Sequence, residues 1–504
     1  MPRTFKPPAT HRVYDACVVG SQLGGVLAGA LLARRGYRVL HVDHDGLGPS
    51  YEDQGWLLPW VPALLPSPRL FPAAEAALQE LGLLADVQRG LEPSGPDLQL
   101  ILPRARLELA RDPGRRAAEL RRECPADAER LEAALAGLDA RFDRATPFLA
   151  ARPPLPPAGL REQWDLRRAL RAAPPGVEAE PGPFAGLESH PMARGLSVLA
   201  RFLGYLDGEL PPLAAARLLG AATRGSHRIP GGLQLLREMI RRKIAESRGE
   251  LLGGEGGAAV AEALAFDGRR AAAVRLAGSK DDFAARVFLL ATDAPAARRL
   301  LPEAEREGKR GRLLAGLRAE RQLAAVNWVV SPQALPPGLG DTALVLPEGG
   351  DEGEAVLLQV SPARRAPGKG DRQEGVQVVC AAGFLPAAAR DQGEAALTAW
   401  AGRVRDSLAG ALPFFDQHLL VESMPLLSAP RERRGSRLMP HPLYRVDEPG
   451  PLGITGLPTR SPWGNVLFAG REVVPGLGVE GEFHAGLQAA AAAERLLGKV
   501  ARPR

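Results

Sequence analysis

Apolar residues along the first 45 positions fall into three runs of different character. Ala16-Cys17-Val18-Val19 is short and apolar with two β-branched residues, as a strand covered on both faces should be, and Gly20 ends it. From Gly25 to Arg35 the residues are Ala, Leu, Gly and Val, with charge arriving only at Arg34 and Arg35. That composition suits a helix lying flat on a sheet, and Gly36 stops it. Tyr37 to Val42 then resumes as a second strand and delivers Asp43 at its end. Strand, turn, helix and strand in this order make a βαβ unit of the dinucleotide-binding kind.

The pattern changes further along. Phe71 to Leu84 is amphipathic at helical spacing, and Leu107 to Leu138 alternates Arg and Glu blocks over Leu and Ala, which predicts a solvated helical face. From Ala151 to Gly186 runs of proline surround a charged helix at Arg161 to Ala172, a pattern that predicts a surface excursion or lid. Helical spacing returns between His190 and Arg224 and again from Leu233 to Ser247, the latter introduced by Arg228-Ile229-Pro230-Gly231-Gly232. Ala258 to Phe266 and Arg270 to Leu276 flank Asp267-Gly268-Arg269 as a hairpin, and Val287 to Ala291 is another apolar strand. Thr292-Asp293-Ala294-Pro295 caps a following helix. Between Leu323 and Gly383 four strand-like runs alternate with Gly- and Pro-rich loops, predicting an antiparallel sheet. A helix over 395–412, a strand at Leu419 to Glu422 and a last Ala-rich helix from about Glu482 to Leu497 complete the chain.

The first turn carries the chemistry of the unit. A pyrophosphate rests on the free N–H groups at a helix N-terminus, and glycine is needed where the backbone must approach it. Here the turn is Gly20-Ser21-Gln22-Leu23-Gly24-Gly25, with the first and third glycines of GxGxxG present and Gln22 in place of the middle one. An acid about 20 positions on binds ribose hydroxyls in such units, and Asp43, followed by His44, fills that place. The loop beyond it reaches Trp56 and Trp60, which either edge a substrate pocket or pack a domain junction.

Composition narrows the class. The 504 residues carry a net charge of +6, but the basic residues are scattered among acids, which speaks against nucleic acid as a partner. That charge is compatible with a weak pull toward anionic lipid, a peripheral membrane contact. The 3 cysteines, Cys17, Cys124 and Cys380, show neither a disulfide frame nor metal spacing. The N-terminal residues lack an apolar signal core, and no run of about 18 apolar residues is present, so a cytoplasmic location is expected.

A second glycine-rich segment closes the chain. Gly464-Asn465-Val466-Leu467-Phe468-Ala469-Gly470-Arg471-Glu472 reads as strand and turn, and Pro475-Gly476-Leu477-Gly478-Val479-Glu480-Gly481 as the loop before the last helix. Together with the βαβ unit, Arg228 to Leu236 and Val287 to Pro295, it makes the sequence resemble the FAD-dependent oxidoreductases of the phytoene desaturase, carotenoid isomerase and amine oxidase superfamily. The four segments stand in the family's order and span the chain.

The resemblance implies an α/β fold: a Rossmann-type FAD-binding domain interleaved with an α+β substrate domain that contains the antiparallel sheet. Residues 10–75, 225–300 and 426–504 would form the former, and 76–224 and 301–425 the latter. It also implies FAD contacts from Gly20, Ser21, Gln22, Leu23, Gly24 and Gly25, from Asp43 and His44, and from Gly470, Arg471, Glu480 and Gly481. Arg471 stands where the family usually has Asp, and the segment around Gly256-Gly257 lacks the apolar adenine contact often found there. The guanidinium of Arg471 could pair with a diphosphate. No His–carboxylate or Ser–His pair offers a separate catalytic unit; His484 is the single candidate proton donor, and no catalytic residue is assigned.

Two functions are therefore expected. One is a flavoenzyme oxidising, saturating or isomerising an apolar isoprenoid- or polyene-like small molecule, with amine oxidation as the variant within that class. The other is a cofactor-free relative serving as a binding or assembly protein on the same fold, which Gln22 and Arg471 favour.

Overall fold

The computed structural model describes residues 13–498 except 47, 94–97, 176, 178–181, 183, 229–230, 255–258, 309, 348–351, 367–374 and 429–440. Ile229 and Pro230 of the segment before the helix at 233, and Gly256-Gly257, lie outside the described residues.

Seven strands form a sheet built from three separated parts of the chain. They are β1 (Tyr14–Val19), β2 (Val39–Val42), β3 (Glu250–Leu252), β4 (Ala261–Asp267), β5 (Arg270–Leu276), β6 (Asp282–Leu290) and β7 (Val466–Phe468). The order is β3-β2-β1-β6-β5-β4, with β7 also paired to β6. Pairing is parallel among β3, β2, β1, β6 and β7, and antiparallel in the β4–β5–β6 meander. Residues of β1 and β2 are buried on both faces, which is why they read as continuous apolar runs rather than alternating ones.

Three helices pack on these strands, α1 (Leu23–Arg34), α3 (Gly232–Glu246) and α4 (Gly478–Leu497), while α2 (Pro212–Thr223) packs on the helix Ala128–Ala150. Helix α1 is buried from Leu23 to Ala33, as its lack of a polar stripe predicts, between the sheet, α3 and α4. Its N-terminus and that of α4 both open at the C-terminal ends of β1 and β7. Convergence of helix N-termini beyond the carboxyl ends of parallel strands is the usual place for a ligand in such sheets.

A second sheet takes the strands Leu419–Ser423, Leu317–Val330, Gln377–Pro386, Val356–Pro362, Thr342–Val345, Gln99–Leu102 and Ala105–Glu108 in that order, with His441–Val446 also on Leu317–Val330. It is antiparallel except where Thr342–Val345 meets Gln99–Leu102. The chain crosses repeatedly between the two sheets, so neither is made by one continuous segment.

Three expectations change or are decided. The stretch Leu107 to Leu138 is not one helical face: it holds the end of a strand and two helices, Pro113–Glu123 and Ala128–Ala150, broken by Cys124-Pro125 because proline cannot continue the first helix. The Arg/Glu alternation hid the break. Trp56 and Trp60 are packed, at 4% and 3% exposure, in a cluster with Tyr51, Val329 and Val378 against the antiparallel sheet, which decides between the two readings of the tryptophans. The Pro-rich excursion is anchored at its start, since Leu155 is fully buried and Gln488 Nε2 of α4 donates to its carbonyl at 3.2 Å.

Candidate functional site

The turn between β1 and α1 adopts the expected shape. Gly20 has φ +105°, a conformation that favours glycine, and its N–H donates to Val42 O at 3.0 Å. The turn then presents Ser21, Gln22 and Leu23 at the start of α1, where N–H groups lack partners within the helix. Gly25 follows, pressed against Ala291.

The chain's own groups take those donors. Ser21 N–H donates to Asp45 Oδ2 at 2.7 Å, Gln22 N–H to Ala291 O at 3.0 Å, and Leu23 N–H to Glu482 Oε2 at 2.9 Å. The other oxygen of Glu482 accepts from Tyr205 Oη at 2.7 Å, and Asp45 Oδ1 accepts from Thr292 Oγ1 at 2.8 Å. Two guanidiniums face these carboxylates. Burial alone would lower the pKa of Arg471, but Glu482 foremost, then Tyr205 and Asp293, hold it above the ordinary value. Burial lowers that of Arg237 on α3, against the opposing charges of Asp43 and Asp45. The Arg471 guanidinium also lies 5.1 Å from the centre of the Tyr205 ring.

The remaining predicted positions divide into those near this cradle and those turned elsewhere. Asp43 closes β2 and is 5% exposed; its carboxylate accepts from Ser21 Oγ and, at 3.0 Å, from Gly46 N–H. Burial works against its charge, while His41, Arg237 and these hydrogen bonds hold its pKa below the usual carboxylate value. His44 points to β4, where its Nδ1 accepts from Ala261 N–H at 3.0 Å. Gln22 reaches across to the terminal turn: its Nε2 donates to Glu472 Oε1 at 2.8 Å and to Asp293 Oδ1 at 3.3 Å, and its Oε1 accepts from Arg471 N–H at 3.2 Å. Gly470 lies directly beneath, and a Cβ there would sit 1.6 Å from Gln22 Oε1. Gly481 packs on Val474. Glu480 turns away from the cradle into a buried ion pair with Arg217 of α2 at 2.7 Å. His484 also faces away, its Nε2 2.9 Å from Pro153 O, and burial lowers its pKa to about 4. It is a packed histidine and no proton donor to the cradle.

Sequence reasoning missed Asp45, Tyr205, Arg237, Asp293, Glu482 and Tyr444, whose Oη donates to Glu472 Oε1 at 2.6 Å. Asp45 and Glu482 each stand two positions after an acid that the sequence did single out, Asp43 and Glu480, and next to a glycine. The tyrosines and Arg237 come from distant segments with no local motif.

Two cavities adjoin here. One of about 60 Å³ is lined by Gln22, Leu23, Tyr205, Arg237, Arg471 and Glu482 among others. The other, about 460 Å³, lies between α3 and the antiparallel sheet, lined by Leu57, Leu58, Leu235, Gln359, Val378 and Cys380 among others. Val61 and Ala63 wall both. The smaller one holds about two waters, far below the roughly 300–1,000 Å³ of a cofactor pocket. The backbone of the cradle has the form a diphosphate needs. Its side chains, as they stand, do not fit one.

The buried titratable groups predict the pH dependence of stability. Burial and then Asp293 push the Glu472 carboxyl up to about 8, so it keeps a proton that the unfolded chain releases near 4.5. Burial lowers His41 and His484 to about 4 and His441 to about 3, so all three stay neutral where the unfolded chain takes up protons. Below about pH 6.5 the unfolded chain binds more protons through the histidines, and stability rises with pH. Above it the folded chain binds more through Glu472, and stability falls until about pH 8. Thermal midpoints measured across pH should therefore peak near 6.5. In Glu472→Gln the decline between 6.5 and 8 should vanish.

Comparison with known proteins agrees with this architecture. The model of an NAD(P)-binding Rossmann-like domain matches residues 18–81. No curated protein matches the sequence. Cyclohexylamine oxidase from Brevibacterium oxydans IH-35A superposes with a TM-score of 0.55 at 20% identity, covering 96% of this chain and 99% of its own. Wild-type putrescine oxidase bound to putrescine gives 0.54 at 16%, covering 95% and 98%. An oxidoreductase from Methanosarcina mazei gives 0.55 at 11%, covering 95% and 100%. The chain has the fold of these oxidoreductases.

Within that fold the seven-stranded sheet with α1, α3 and α4 is the Rossmann-like part, and the antiparallel sheet roofs the larger cavity. Among the described residues no helix is long and apolar enough to cross a membrane, and no group of three or more His, Cys, Asp or Glu could hold a metal ion.

Proposed function

We propose that the chain is an FAD-dependent oxidoreductase acting on an apolar, isoprenoid- or polyene-like small molecule. The observation that carries this reading is the 460 Å³ cavity, whose walls include Leu57, Leu58, Val61, Leu235 and Val378 beside the polar Ser50, Gln359, Ser361 and Arg364, and which shares walls with the cradle beneath the two glycine turns. FAD would supply a hydride acceptor in such a site. Asp43 at the end of β2 would offer it a ribose contact, and the apolar part of the walls would orient the substrate and exclude water.

Amine oxidation, the activity in the names of two structural neighbours, is supported less well. A substrate ammonium is best held by a carboxylate, and the described lining residues include Arg364 and no acid. A second reading, the cofactor-free relative, is favoured by the carboxylates that occupy the cradle. The visible absorption spectrum of the purified protein, with a dialysis titration of added FAD, separates these readings. Flavin bands approaching one per chain at saturating FAD are expected for the enzyme. Failure of the wild-type chain to take up FAD at any concentration leaves the binding-protein reading.

A further inference from the structure

We infer that Glu482, with Asp45, is a built-in occupant of the diphosphate seat, and that these two carboxylates compete with FAD for the N-terminus of α1. The inference deepens the proposed function, since it rests on the cradle being the place where FAD would sit.

The geometry is that of an anion site already satisfied. A diphosphate at a helix N-terminus takes backbone N–H groups and is neutralised by nearby cations. Here Glu482 and Asp45 take the N–H groups of Leu23 and Ser21 at 2.9 and 2.7 Å. Their remaining oxygens are met by Tyr205 Oη and Thr292 Oγ1. Arg471 and Arg237 supply the positive charge, each interacting with Glu482. Two carboxylates carry the same double negative charge as a diphosphate diester, and each presents two acceptor oxygens.

Glu482 is 3% exposed and stands one turn into α4. Both of its oxygens are engaged, by Leu23 N–H and Tyr205 Oη. Adding a diphosphate beside these carboxylates would place four negative charges against two guanidiniums in a cavity of about 60 Å³, and unscreened like charges in contact cost several kcal/mol. Neutralising Glu482 removes the repulsion while keeping the side-chain shape, because a glutamine can still accept from Leu23 N–H.

The test is a titration of the full chain with FAD, followed by quenching of flavin fluorescence. The wild-type protein is compared with Glu482→Gln, Asp45→Asn and the double variant, and thermal midpoints without FAD confirm that each is folded. ADP serves as a second probe carrying the diphosphate without the flavin. At least tenfold tighter FAD binding in Glu482→Gln is expected, with a further gain in the double variant, and ADP should follow the same order. Should the wild-type chain bind FAD as tightly as the variants, the competition is overturned while the flavoenzyme reading stands. Tighter binding by the variants alone, with none by the wild type, supports the competition and removes the flavoenzyme reading. No binding by any of the four proteins overturns both.

Discussion

Replacing Arg217 by Met is expected to lower the unfolding free energy by about 3–5 kcal/mol. Its side chain is fully buried, 0% exposed, and paired with Glu480, which is 2% exposed. Both oxygens of Glu480 are held by the guanidinium, at 2.9 and 2.7 Å. The same guanidinium donates to Phe142 O at 3.0 Å, Thr146 Oγ1 at 2.8 Å and Leu70 O at 3.2 Å, and it lies 3.8 Å from the centre of the Phe142 ring. One side chain thus ties α2 to α4 and to the helix Ala128–Ala150.

Most of the loss comes from leaving Glu480 charged and unpaired in a dry interior, rather than from the attraction removed. Burial already pushes the Glu480 carboxyl up, and Arg217 is what opposes that push. Two consequences distinguish this account from a simple packing defect. The Arg217→Met defect should shrink at acid pH, where Glu480 takes up a proton. The double variant Arg217→Met with Glu480→Leu should recover most of the stability, because neither charge is then buried. Urea-unfolding midpoints of the two singles and the double decide it, and a double variant no better than the worse single would refute the charge argument.

Gly24→Ala should be nearly as damaging. A Cβ at Gly24 would lie 2.4 Å from Ala469 O and 2.8 Å from Glu482 O, both backbone atoms that no rotamer change can move. Relief requires α1 to back away from the turn after β7 and from α4 together. Overpacking of this kind costs about 1–3 kcal/mol, and contact with two separate backbone segments places the expected loss at or above the upper end. Gly137→Ala makes the control. It is exposed within the helix Ala128–Ala150, with nothing within 4 Å of its Cβ position, so it should gain about 0.5–1 kcal/mol from helix propensity. Thermal midpoints should therefore move in opposite directions for the same chemical change.

The sequence by itself determined most of the local elements around the two glycine turns. The apolar run Ala16–Val19, the uncharged stretch that became α1, and Asp43 at the end of β2 all follow from short-range spacing, as do the hairpin at Asp267-Gly268-Arg269 and the glycine loop before α4. Elements buried on both faces carry this signal most strongly, because every position in them must be apolar or small. The order of four such segments along the chain was enough to indicate the fold.

Side-chain direction was not legible in the same way. Glu480 and Glu482 are two positions apart in α4, about 200° around the helix, so one meets Arg217 and the other meets the N-terminus of α1. Only the packing of α4 between α1 and α2 decides which acid faces which partner. Gln22 likewise reads as an obstruction in the glycine turn, yet its amide crosses to Glu472 and Asp293, residues 450 and 271 positions away. Tyr205 and Arg237 join the cradle from segments whose local pattern is merely helical. Backbone form follows from neighbours in sequence, whereas the charge of a buried site is the sum of groups that meet only when the chain has folded.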